Sequence, residues 1–536
     1  MSKTMKRAVL ATAALALPML FAGAAVAGDN EGRSKFNRDQ QVGYLGKFSN
    51  SAIARNIRER LQQRRARRAA DTADRIKMWT EVALDANALD HTPNDDGRAT
   101  LSQGGPVRTA RAFAMTQIAI FDAVNAFRDR YRPYNNFVVA TDGASMDAAI
   151  AYAAHDVLIA LYPEQADRIN IELSSDLGQI NGTSAAINQG KLVGETIAAA
   201  MLARRANDGS QVSEVQFGQG GRVASGTTTF FGQPVNNGSG DPFNWSPDPL
   251  TPGATPGSVN TLALGANWGA VTPFVLARGD QFRAPPPPVP GTRAYRAGFN
   301  EVKAIGASSD TAGSTATAAT KFIGNYWGYD GAPLLGTPPR LYMQIAIQLA
   351  QDNGVTAPVE LARYLAMVST AMGDAGVAAW DSKYFYNYWR PVTGVRRGNE
   401  DGDARTAADP AWKPVGVSVI NTEDPILATP PFPAYVSGHA TFGAATFEIV
   451  RGFIPNNTRF TFVSDEYNGE GVDPFGTPRP LVPVRFRSLQ QAQEENGRSR
   501  VFNGVHWTWD DTAGQNIGVS IGQYLPNHAF QRARGR

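Results

Sequence analysis

With 536 residues, 43% of them hydrophobic, the chain exceeds the ~250–300 residues that one hydrophobic core organises, so two layers or domains sharing an interface are expected. Its 51 Lys and Arg stand against 48 Asp and Glu, a formal charge of +3 that falls to zero without the N-terminal segment described below and so argues against a nucleic-acid binder. The lack of cysteine excludes disulfides, cysteine nucleophiles and thiolate metal sites, and five histidines remain to be weighed singly: His91, His155, His439, His506 and His528.

Residues 1–27 read as a signal peptide. Lys3, Lys6 and Arg7 precede an apolar run from Ala8 to Ala25, and Ala25-Val26-Ala27 fits a small-residue cleavage site. Removing that segment takes away three positive charges and no acidic one, so the formal charge falls from +3 to zero. No later run reaches the ~18 uninterrupted apolar residues of a membrane span. The expectation is an exported protein, periplasmic or extracellular, with no transmembrane segment. Residues 28–75 are polar, with arginine at 55, 58, 60, 64, 65, 67 and 68. They read as a solvated arm, with a partner-binding or membrane-surface role as the alternative.

Helical periodicity starts at Ile76, with Met78, Trp79, Val82, Ala83 and Ala86 on one face, and continues through 107–127, 146–162, 164–178 and 184–205. Residues 76–208 therefore form an N-terminal helical domain. Between 209 and 292 the period fades into Gly, Asn, Ser, Thr and Pro, closing with Pro285-Pro-Pro-Pro-Val-Pro-Gly291. That stretch reads as a surface excursion or the connection between two helical halves. The period returns at 294–305, 310–327, 338–353, 357–390, 438–454, 486–496 and 509–525, making 293–536 a C-terminal helical domain. Arg459-Phe-Thr-Phe-Val463 alone has strand character and is too short to found a sheet. The predicted fold is all-α: two helical bundles packed together, a long irregular connection, and little or no sheet.

Three stretches of the C-terminal half carry chemistry. In Trp380-Asp-Ser-Lys-Tyr-Phe-Tyr-Asn-Tyr-Trp-Arg-Pro391, Lys383 and Arg390 are seven apart, two helical turns on nearly one face, with Pro391 ending the helix. They read as an anion site or as two solvated charges at a helix C-terminus. In Pro431-Phe-Pro-Ala-Tyr-Val-Ser-Gly-His-Ala-Thr-Phe442, a proline-stiffened loop enters a helix at Ser437-Gly438-His439. A helix start with a hydroxyl, a glycine and an imidazole offers an oxyanion free N–H groups and a proton carrier; the alternative is an N-cap serine beside a structural histidine. In Ser499-Arg-Val-Phe-Asn-Gly-Val-His-Trp-Thr-Trp-Asp510, Arg500 adds a third cation and His506 sits in an apolar setting that favours a neutral, ligand-competent ring. His506 is a ligand or a satisfied core histidine, and Asp510, one helical turn on, would fix its tautomer.

Taken in order, these stretches resemble the three-part signature of the phosphatidic acid phosphatase and vanadium haloperoxidase superfamily. The resemblance is sharper on the vanadium chloroperoxidase side. There it includes Phe432-Pro-Ala-Tyr, Ala440-Thr-Phe-Gly, Gly504-Val-His-Trp507 and Trp327-Gly-Tyr-Asp-Gly-Ala-Pro-Leu-Leu-Gly-Thr-Pro-Pro-Arg340. It is dense from about 320 to 515 and looser from 75 to 210.

The resemblance implies a vanadate-dependent haloperoxidase that oxidises halide with hydrogen peroxide to hypohalous acid, with organic molecules as acceptors. It implies vanadate as cofactor, with phosphate occupying the apo site. His506 would be the metal ligand, and Lys383, Arg390, Ser437, Gly438 and Arg500 would hold the oxygens. His439 would act as the acid–base group, and Lys383 would activate the peroxide. Trp380 and Phe432 match the apolar wall beside the oxidised halide, and Asp330 the carboxylate that steadies a vanadate-binding arginine. Phe432, where a histidine would suggest a bromide-oxidising site, leans toward chloride competence. The family's usual proline before Ser-Gly-His is Val436 here, which loosens the loop and adds an N–H that needs a partner. The rival reading is a secreted acid phosphatase of the same superfamily, with His506 as phosphohistidine nucleophile and His439 protonating the leaving alcohol.

Overall fold

The computed structural model describes residues 69–94, 99–217, 243–250, 262–421 and 429–533; the expected signal peptide and most of the arm lie outside them. The first helical group is α1 (Thr72–Asp90), α2 (Pro106–Arg128), α3 (Met146–Leu161), α4 (Ala166–Leu177) and α5 (Ser184–Arg205). The second is α6 (Arg293–Ile305), α7 (Ala318–Tyr326), α8 (Pro338–Asp352), α9 (Pro358–Tyr386), α10 (Pro391–Arg396), α11 (Gly438–Arg451), α12 (Leu489–Phe502) and α13 (Thr508–Tyr524). Several starts are written locally. The side chains of Asp71, Ser145, Thr183, Thr292 and Ser488 each accept a hydrogen bond from the backbone N–H three residues on.

The long helix α9 joins the two groups. Its 29 residues span about 43 Å, and it packs on α2 from the first group and on α11 from the second. Nearly every position from Val359 to Tyr384 is buried, so both sides of the helix face protein. One continuous hydrophobic core runs from Ala73 to Phe530 through both groups.

Strands are confined to two antiparallel ribbons among the described residues: β1 (Val215–Gln216) with β2 (Leu262–Ala263), and β3 (Phe460–Phe462) with β4 (Val484–Phe486). The stretch at 459–463 thus does found a small sheet. Its partner strand ends at Phe486, the first residue of the helix expected over 486–496, which begins instead at Leu489 and runs on to Phe502. Likewise the helix expected from 310 begins at Ala318, after a turn, and α1 begins at Thr72, inside the stretch assigned to the arm.

The connection runs over the surface at 211–213 and 285–292, but its described middle is built into the core. Trp245, Leu262, Ala263, Leu264, Ala266, Trp268 and Phe274 are buried in the core. Asp374, inside α9, accepts the N–H groups of Phe274, Val275 and Leu276, so a buried carboxylate replaces the missing ladder of a strand. Periodicity could not reveal this, because such a segment is held by individual side chains and not by a repeating face.

Candidate active site

The loop before α11 and the start of that helix occupy the centre of the second group. Ser437 is the N-cap of α11, its Oγ accepting from the Ala440 N–H at 3.4 Å, and its own N–H donates to Asp510 O at 3.0 Å. Helix α13 comes this close because it presents glycine to α11. A Cβ on Gly514 would lie 2.7 Å from Ser437 O, and one on Gly518 would lie 2.4 Å from Thr441 O. Close backbone approach therefore brings the 506–510 segment against Ser437-Gly438-His439.

Lys383 and Arg390 reach the same loop, though not from one helical face. Helix α9 ends at Tyr386, Asn387 takes a left-handed conformation at φ 48°, and Arg390 is the N-cap of α10. Lys383 Nζ donates to the carbonyls of Pro433, Ala434 and Val436. Burial and then Arg390 push its pKa well below the usual lysine value. Three acceptors around one Nζ nevertheless require three N–H donors, which only the ammonium has, and we assign that form. Arg390 Nε donates to Phe432 O at 2.9 Å and Nη1 to Val505 O at 2.7 Å. Leu264 N–H donates to Pro431 O and Ala434 N–H to Tyr388 O. The buried Val436 thus sits in a loop fastened by its carbonyls.

His506 precedes α13, with Trp507 as the N-cap. Asp510, in the first turn, reaches back: its Oδ2 accepts from the Trp507 N–H at 3.0 Å and from His506 Nδ1 at 2.9 Å. The proton therefore belongs on Nδ1, and Nε2 carries the lone pair, 3.2 Å from Arg390 Nη1. Burial first, then Arg390 and Lys383, hold the imidazole well below its usual pKa. Burial pushes Asp510 up to about 7.

Arg500, in the last turn of α12, donates through Nη2 to Asp330 Oδ1 at 2.7 Å. Its Nε and Nη1 are buried with no hydrogen-bond partner. His439 Nε2 donates to Gly328 O at 2.8 Å and lies 3.9 Å from Asp330 Oδ1. Burial, then the Arg500 guanidinium, hold the His439 imidazole well below 6.5. Burial raises the Asp330 carboxyl above the usual carboxylate range even against Arg500.

These groups converge on a small cavity. Arg500, His439, His506, Gly438 and Asp330 line one part, and Trp380, Phe432, Phe442, Pro106, Pro338 and Pro430 the rest. Lys383, Arg390 and Ser437 are not among the lining residues. The Trp380 and Phe432 rings pack 4.9 Å apart, with Lys383 Nζ 4.9 Å and the Arg390 guanidinium 4.9 Å from the Phe432 ring centre. Trp380 is itself positioned by the connection, donating through Nε1 to Leu264 O at 3.0 Å. A Cβ on Gly438 would come within 3.1 Å of Trp380, so glycine keeps the helix start open to the cavity.

The residue set fits an oxyanion. Three cations surround two imidazoles, and Arg500 presents two N–H groups that the protein leaves without an acceptor. Several supporting residues carried no sequence signal. Tyr342 Oη and Asn496 Nδ2 both donate to His439 O, and the Gly328 carbonyl, being backbone, cannot be read from residue type. The other histidines are accounted for structurally: buried His91 bonds Asn87 O and Gly105 N–H, His155 bonds Asp156 and Asn170, and His528 stacks on Tyr524.

Residues 363–535 match the family model of the VCPO second helical-bundle domain. The chain is 29% identical over 509 residues to the vanadium chloroperoxidase of Curvularia inaequalis, covering 82% of this chain and 80% of that one. It is similar in structure to a bacterial vanadium-dependent iodoperoxidase, with a TM-score of 0.64 and 20% identity over 87% of this chain and 99% of that one. An apo-type bacterial vanadium-dependent chloroperoxidase aligns with a TM-score of 0.55 and 20% identity, covering 79% and 94% of the two chains. The chain thus has the helical-bundle fold of the vanadium haloperoxidases. Within that fold, the resemblance to the chloroperoxidase branch carried by the three motifs stands, and all three motifs lie within the residues that the family model matches.

Proposed function

We propose that the protein is a vanadate-dependent haloperoxidase that uses hydrogen peroxide to oxidise halide to hypohalous acid, with organic molecules as final acceptors. The observation that carries this reading is Arg500: a buried guanidinium with two unpartnered N–H groups beside a cavity shared by His439, His506 and Gly438. His506 would hold the metal through Nε2, the nitrogen that Asp510 leaves without a proton. Arg500, Arg390 and the first-turn N–H groups of α11 would hold the oxygens. Vanadate, when bound, supplies a Lewis-acidic centre that activates peroxide without changing its oxidation state.

The remaining work falls to the chain. His439 is neutral and commits Nε2–H to Gly328 O, so Nδ1 is the nitrogen able to take a proton from hydrogen peroxide and return it. Lys383 adds positive charge from behind the loop while its three donors fix the loop's course. Trp380 and Phe432 provide a dry wall where halide can meet the oxidant without competing water.

No described helix is long and apolar enough to cross a membrane. Lys3, Lys6, Arg7 and the apolar run behind them support export to the periplasm or medium, which N-terminal sequencing of the mature chain would test. The functional experiment is a halogenation assay with hydrogen peroxide and chloride, bromide and iodide in turn, with and without added vanadate. A vanadate-dependent rate is expected. Hydrolysis of p-nitrophenyl phosphate that vanadate inhibits, with no halogenation, would replace this reading with an acid phosphatase.

A further inference from the structure

We infer that Glu466, on the far side of the Gly328–Asp330 turn from the cavity, is a positioning residue that sets the aim of both His439 and Arg500. The inference rests on the reading of that cavity as an oxyanion site.

The turn makes three different contacts with three successive residues. Gly328 O accepts from His439 Nε2, Tyr329 N–H donates to Glu466 Oε1 at 2.9 Å, and Asp330 Oδ1 accepts from Arg500. Tyr329 sits at φ 48°, an unusual conformation for a bulky residue that its surroundings must hold. Glu466 is completely buried. Its Oε2 accepts from Ser418 Oγ at 2.8 Å and from Arg479 Nη1 at 2.6 Å, and Ser418 N–H donates to Asp330 Oδ2 at 3.1 Å. One carboxylate therefore grips the turn directly at Tyr329, and through Ser418 it grips the carboxylate of Asp330.

The space is tight as well as bonded. A Cβ on Gly328 would lie 2.5 Å from Glu466 Oε1 and 2.6 Å from Ser418 Cβ. The Gly328 carbonyl can reach His439 because glycine lets the turn lie against Glu466. Without the carboxylate, the Tyr329 N–H and the Ser418 hydroxyl would lose their acceptor inside the protein, and Arg479 would lose its counter-charge while keeping Val419 O and Ser418 Oγ. Any shift that satisfies them moves the acceptors of His439 and Arg500 together. Sites of this kind need their groups held to about 0.5 Å.

The test uses Glu466→Gln, nearly the same shape without the charge, in the full chain. Affinity for inorganic phosphate and for orthovanadate is measured by calorimetry alongside the melting temperature. Asp122→Asn serves as a control for general loosening, since Asp122 is also a buried carboxylate but accepts from Tyr134 and Asn135. The expected result is anion binding weakened by about 10–100-fold in Glu466→Gln, with Asp122→Asn losing melting temperature but staying within about twofold in affinity. Should Glu466→Gln fail to fold, Ser418→Ala removes one hydroxyl of the same relay and is expected to weaken binding by several-fold. Wild-type affinity in a folded Glu466→Gln, or in Ser418→Ala where that stands in, overturns the proposal, as does an equal loss in Asp122→Asn. Anion binding by the wild type is expected from an oxyanion site whether it halogenates or hydrolyses. Its absence would overturn the site reading and this inference together, an outcome distinct from a silent variant.

Discussion

Asp510 Oδ2 lies 2.9 Å from His506 Nδ1, and this contact leaves Nε2 as the lone-pair nitrogen beside Arg390. Asparagine at 510 can keep an oxygen on the Trp507 N–H but loses the charge that favours a proton on Nδ1. Asp510→Asn is expected to weaken vanadate binding by about 10–100-fold. A vanadate titration followed by calorimetry measures this. Unchanged affinity would show that something other than Asp510 fixes the tautomer.

His439 and His506 share a cavity but are expected to fail differently. His439→Ala removes a proton carrier and should lower the halogenation rate by about 10²–10⁴ while vanadate affinity stays within a few-fold. His506→Ala removes the proposed metal ligand and should lose affinity first, with rate partly restored at high vanadate. Rates across a vanadate series separate the two. Loss of rate and affinity together in His439→Ala would mean that this residue helps hold the anion.

Lys383 Nζ answers the carbonyls of Pro433, Ala434 and Val436. Lys383→Met fills similar space but leaves those carbonyls without a donor, at roughly 1–3 kcal/mol for each that stays unpaired. The variant should melt earlier than wild type and bind phosphate more weakly, because the loop leading to Gly438 is no longer fastened. A variant that melts like wild type but still loses phosphate binding would assign Lys383 to the anion alone.

The candidate residues that the structure brings together were legible because they are recognised by type: cations, imidazoles, a glycine and a hydroxyl at helix ends. The helices were legible where they are periodic, and their boundaries slipped where caps and turns decide them, as at Ala318 and Leu489. Lys383 and Arg390 meet without sharing the helical face that their spacing predicts. They converge on one loop from two elements, after Asn387 breaks α9. The burial of the connection could not be read, since Gly, Pro and Asn carry no period. Its role depends on single contacts such as Gly265, where a Cβ would lie 2.4 Å from the Trp380 ring. Glu466 was invisible for a related reason: it lies outside every motif, and its partners are the Tyr329 N–H and the side chains of Ser418 and Arg479.

The titration of His439 gives a prediction with a definite sign. Burial and Arg500 hold its folded-state pKa well below 6.5, so below about pH 6.5 the unfolded chain binds a proton that the folded one refuses. The stability contributed is present above that pH and is lost as pH falls through the folded-state value. Asp510, raised to about 7, has the opposite sign: its contribution is complete below the usual carboxylate pKa and lost as pH rises through about 7. It is present in both wild type and His439→Gln, as is His506, so comparing the two proteins isolates His439 to first order. On lowering the pH from about 7 to about 5, wild type should lose melting temperature relative to His439→Gln in phosphate-free buffer. Bound phosphate places negative charge near the imidazole and compensates Arg500, so the difference between the two proteins should narrow when phosphate is added. Scanning calorimetry over that range measures both effects, and parallel curves for the two proteins would show that His439 does not carry the acid sensitivity.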